Sequence, residues 1–95
     1  MSVRKTSKQS KSELSAKNAG VSGTVVLNAK RVAPVATYYW QYSLDQETWI
    51  SVPATMKAST VLSGLTPRTT YHFRFRALTR DGETDFSQVV SLFVL

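Results

Sequence analysis

From Gly23 onward the apolar residues return at every second position, the period of an extended strand whose side chains face alternate sides. The stretch "GTVVLNAKRV" sets Val25, Leu27 and Ala29 on one side and Val26, Asn28 and Lys30 on the other, until Pro34 interrupts it. In "VATYYWQYSLD" Tyr38, Trp40 and Tyr42 oppose Tyr39, Gln41 and Ser43, and the density of aromatic residues favours strand over helix. A polar link, "LDQETW", leads to a short strand "WISV" that Pro53 ends, and "STVLSGL" supplies Leu62 and Leu65. "TYHFRFRAL" then turns Tyr71, Phe73, Phe75 and Ala77 inward and His72, Arg74 and Arg76 outward, before a turn at Asp81 and Gly82. The closing run "DFSQVVSLFVL" alternates Val90, Leu92 and Val94 with Val89, Ser91, Phe93 and Leu95. No segment of useful length carries a 3.6-residue stripe, so no substantial helix is expected.

Short alternating strands joined by Pro and Gly turns predict an all-β, two-sheet antiparallel sandwich of about seven strands. At 95 residues the chain holds one small domain with a modest core. It has no cysteine, which excludes disulfides, thiolate metal sites and cysteine nucleophiles and is compatible with a reducing compartment such as the cytoplasm. No apolar run approaches the roughly 20 residues that span a bilayer, and the basic start "MSVRKTSKQSKSEL" is followed by no apolar stretch, so neither a membrane span nor an export signal is expected.

The runs "YYWQYSLDQETW", "LSGLTPRTTYHFRFRAL" and "DGETDFSQVVSL" together resemble the fibronectin type III family, over roughly residues 21–95. Leu65, Pro67 and Tyr71 match that family's tyrosine corner, which implies a phenol oxygen bonded back to the upstream chain. Two departures stand out: the family's second-strand tryptophan is replaced by Ala29, with Trp40 available to fill the volume, and the glycine that usually follows the corner proline is Arg68, where a positive φ would be strained. The first strand matches poorly and is expected to be short or irregular, or to be supplied by the arm that precedes Gly20. The "YSLDQETW" hairpin is similar to those of many bacterial members, and with a linker-like arm at the start and the last strand at the end the chain is expected to be the C-terminal domain of a larger bacterial or phage-like protein.

Charge divides the chain. Residues 1–20 hold Arg4, Lys5, Lys8, Lys11 and Lys17 against Glu13 alone, so most of the formal net charge of +6 lies in this Ser/Lys-rich segment. With few apolar residues it is read as a flexible basic tail or linker, and residues 21–95 as the domain. Such an arm suits a polyanion, including nucleic acid, with an affinity that falls steeply with salt.

The outward positions of the sheet give the candidate interaction face: Tyr39, Gln41, Arg74, Arg76 and Phe93, an arginine–tyrosine patch of the kind protein interfaces favour. The same alternation is what a half-exposed strand requires for its own sake. His72 lacks metal-ligand neighbours, the carboxylates fall in two hairpin turns, and no phosphate loop or nucleophile elbow occurs, so neither an enzyme nor a cofactor is expected. The leading function is a non-catalytic protein-interaction or spacer module. Polyanion binding through the arm and the Arg/Tyr face is one alternative, and carbohydrate stacking on Trp49 or Tyr39 is another. An uncovered edge strand also invites self-association.

Overall fold

The computed structural model describes residues 13–95, which form two antiparallel sheets and, among the described residues, no helix. One sheet has three strands in the order β1 (Leu14–Asn18), β2 (Val25–Ala29) and β5 (Ser59–Leu62). The other is built on β3 (Thr37–Ser43) and the long β6 (Thr69–Thr79). There β4 (Ile50–Ser51) pairs with the far edge of β3, while β7 (Gly82–Glu83) and β8 (Val90–Val94) pair with successive stretches of β6.

The alternation predicted from the sequence is observed except at the end of β3, where Ser43, expected on the outer side with Tyr39 and Gln41, is buried and bonds to Asp45 and the Asp45 and Gln46 N–H groups. Tyr38, Trp40, Phe73, Phe75 and Ala77 are buried from the five-stranded sheet, and Val25, Leu27 and Leu62 meet them from the three-stranded one. Trp40 is fully enclosed, with its ring 5.6 Å from Phe75 and 6.0 Å from Tyr38. Its indole N–H would be costly to bury unpaired, and it donates to Thr55 Oγ1 at 2.9 Å.

The arm before Gly20 supplies the first strand, one of the forms expected for it. Leu14–Asn18, assigned to the flexible arm by composition, pairs with β2 from Leu14 opposite Ala29 to Asn18 opposite Val25. Leu14 and Ala16 suffice to cover the edge of the core, and the strand is otherwise held by backbone bonds. Lys17, counted among the arm's cations, is an exposed residue of this strand opposite Val26. The other arm candidates, Arg4, Lys5, Lys8 and Lys11, lie outside the described residues.

The last edge is divided where a single strand was expected, giving eight strands in place of about seven. Between β7 and β8 two hydroxyls stand in for backbone acceptors. Thr84 Oγ1 accepts the Ala77 N–H at 2.9 Å and Ser87 Oγ accepts the Phe75 N–H at 3.0 Å, so β6 stays satisfied while the regular ladder is interrupted.

At the β5–β6 corner the Thr66 N–H donates to Tyr71 Oη at 2.9 Å. Arg68 follows with φ 61°, the left-handed conformation that a side chain adopts at a cost, and its N–H donates to the Val94 carbonyl at 2.6 Å.

Candidate interaction face

The face builds outward from the central pair of strands. Antiparallel register sets Tyr39 opposite Arg76 and Gln41 opposite Arg74, so the parity that buries Trp40 and Phe75 also brings four polar side chains together on the solvent side. Arg74 is the hub. Its guanidinium lies 4.1 Å from the ring centre of Trp49 on one side and 3.8 Å from that of Phe86 on the other, while its Nε donates to Gln41 Oε1 at 2.8 Å. Gln41 passes the order on, donating through Nε2 to Ser51 Oγ at 3.2 Å.

Arg76 extends the stack, 4.8 Å above Phe86, and forms an ion pair with Glu83 at 2.9 Å. Its Nε is buried and has no partner among the described residues. Two guanidinium groups this close repel one another. Burial first, and the Arg76 charge second, lower the pKa of Arg74 from its ordinary value, which still leaves it cationic at neutral pH. The aromatic rings offset that repulsion, each contact contributing about 0.5–1 kcal/mol at a partly exposed site.

The result is a ladder, Trp49–Arg74–Phe86–Arg76–Glu83, flanked by Tyr39 and Gln41. Phe93 does not join it. It lies opposite Thr70 at the other end of β6, 52% exposed, and its carbonyl accepts a hydrogen bond from the Asn18 side chain at 3.1 Å. Between the two regions His72 Nδ1 and Ser91 Oγ share a cross-strand hydrogen bond of 2.6 Å.

Alternation alone locates Tyr39, Gln41, Arg74 and Arg76 but not the rings that clamp them. Trp49 reaches Arg74 from the β3–β4 link, and Phe86 from the irregular stretch between β7 and β8. A lone aromatic in the otherwise polar "DGETDFSQ" is the signal that points to Phe86. Chemically the face offers planar cations held in fixed orientation between apolar rings, which suits carboxylates and aromatic side chains of a partner.

A family model described as the fibronectin type III domain matches residues 12–93. No curated protein matches the chain. Among solved structures, a fibronectin type III domain derived from the human KIAA0970 protein superposes with a TM-score of 0.74 at 16% identity, covering 100% of this chain and 86% of its own. The sixth such domain of human fibronectin type III domain containing protein 3 gives 0.68 at 20% identity, with 88% and 80% covered. Domains A168–A170 of titin give 0.67 at 20% identity over 80% of this chain, which spans only 29% of that fragment.

Proposed function

The chain belongs to the fibronectin type III family, whose members are commonly protein-interaction or structural modules and generally non-catalytic, and on that premise we propose that it is a non-catalytic interaction module. It meets its protein partner through the outer face of the five-stranded sheet. The observation that carries this reading is the clamped guanidinium of Arg74, held between two rings and bonded to Gln41. A face whose long side chains are already ordered loses little conformational entropy on binding, which is what separates a docking surface from a merely soluble one.

A spacer would need no such order. Carbohydrate stacking is less favoured, because the Trp49 ring already lies against Arg74. Selection from a displayed peptide library tests the proposal. Binders should be rich in carboxylates and aromatic residues, and should lose about tenfold or more in affinity to Arg74→Gln or Trp49→Ala variants that unfold at the wild-type midpoint. Binders indifferent to both substitutions would reject this face.

A further inference from the structure

At the end of the sandwich away from the Tyr71 corner, the β2–β3 loop, the β4–β5 loop and the β6–β7 turn come together. Between the first and the last lies a cleft of about 590 Å3, lined by residues 33–37 and 78–81. A smaller recess of about 280 Å3 shares Ala33, Pro34 and Ala36 with it and continues to Met56 and Lys57. Val35 and Met56 are 69% and 67% exposed, and Leu78 is exposed beside them, so the apolar floor is open to water.

The loop forming one wall is fastened in place. The Val32 N–H donates to Tyr38 Oη at 3.2 Å, and Arg31 donates to the carbonyls of Ala33 and Pro34 at 3.3 and 2.8 Å. Around the floor stand Arg31, Lys57 and Arg80, against the carboxylate of Asp81. The chain also enters the fold here, since the Lys30 N–H donates to the Glu13 carbonyl at 2.9 Å. The twelve residues before Glu13 carry Arg4, Lys5, Lys8 and Lys11 and no carboxylate.

We infer that this end docks a short acidic segment of a protein partner, which places an apolar side chain in the cleft and carboxylates against Lys57 and Arg80. Charge complementarity selects an acidic occupant. The apolar floor selects a peptide over a nucleic acid, because bases need exposed aromatic faces to stack on, and the aromatic residue lining these recesses, Tyr38, is buried. This surface is separate from the Arg74 ladder, and either reading can fail without the other.

The test titrates the full chain, at moderate salt, with a labelled polyglutamate peptide carrying one central leucine. The same peptide with serine in its place and an oligothymidylate serve as comparators. The leucine peptide is expected to bind about tenfold more tightly than the serine peptide. Val35→Asp should abolish that preference and Arg80→Glu should weaken binding about tenfold, whereas Arg68→Glu at the opposite end should change neither. Equal binding of the two peptides, oligothymidylate binding as tight as the leucine peptide, indifference to Val35→Asp, or no binding at all would each overturn the inference.

Discussion

At one end of the sandwich, around the β1–β2 turn and the β5–β6 corner, the segments are sewn to one another; at the other, the loops stand apart around a cleft. At the sewn end the Gly23 N–H donates to the Leu95 carbonyl at 2.8 Å, the Leu65 N–H to the Gly23 carbonyl at 3.0 Å and the Arg68 N–H to the Val94 carbonyl. Asn18 adds a two-point clamp, donating to the Phe93 carbonyl and accepting the Leu95 N–H at 3.0 Å. At the open end, among the described residues, no hydrogen bond joins residues 33–36 to Arg80 or Asp81. Both ends expose apolar side chains, Val21, Leu44, Phe93 and Leu95 at one and Val35, Met56 and Leu78 at the other; they differ in that the sewn end ties its segments together by hydrogen bonds, while the open end gathers apolar and cationic groups around a cleft.

The sharpest way to break this contrast is Gly23→Ala. Gly23 has φ +74°, and a Cβ there would sit 2.5 Å from the Leu65 carbonyl oxygen, which is backbone and has little freedom to yield. A loss of about 2–4 kcal/mol is expected in urea unfolding, with an unchanged slope. The open end provides the counterpart, since Val35→Asp should shift stability by less than about 0.5 kcal/mol.

Tyr71→Phe comes next, because it strips the Thr66 N–H of its acceptor without removing volume. The expected cost is about 1–2 kcal/mol by the same measurement. Arg68→Gly has the opposite sign. It relieves a positive φ of 61° and offsets part of that gain with unfolded-chain entropy, for a net stabilisation of up to ~1 kcal/mol.

The smallest effect is electrostatic and belongs to the β3–β4 turn at the sewn end. Asp45 Oδ1 accepts the N–H groups of Thr48 and Glu47 at 2.9 and 2.8 Å and the hydroxyl of Ser43, and these bonds, in that order, hold its pKa below the ordinary carboxylate value. A depressed folded-state pKa stabilises the fold above the unfolded-state value, and that contribution is lost as pH falls through the folded one. Melting temperature measured on the acid side of pH 4 should therefore fall less steeply in Asp45→Asn than in the wild type.

Burial imposes a strict two-residue period on any strand with one wet face, which is why the faces of β3, β6 and β8 were legible in the sequence down to Trp40 and Phe75 inward and Arg74 outward. The tyrosine corner was legible as spacing. β1 was legible only as the alternative that the arm supplies a first strand, since two half-buried residues, Leu14 and Ala16, make almost no hydrophobic pattern and the Asn18 clamp depends on a partner 75 residues away. The Arg74 ladder was half legible: cross-strand register follows from alternation, but the position of Phe86 depends on the break in the ladder at Thr84 and Ser87. The open-end cleft has no periodic signature at all, being formed where three loops happen to converge.

Amide chemical shifts of the full chain, recorded while the leucine-bearing glutamate peptide is added, test the division between the two ends most directly. The account predicts perturbations confined to residues 30–37, 56–58 and 78–81, with Ser22, Gly23, Leu65 and Arg68 unmoved. Shifts centred on the sewn end, or spread evenly over every exposed cation including Lys17 and Arg68, would contradict it.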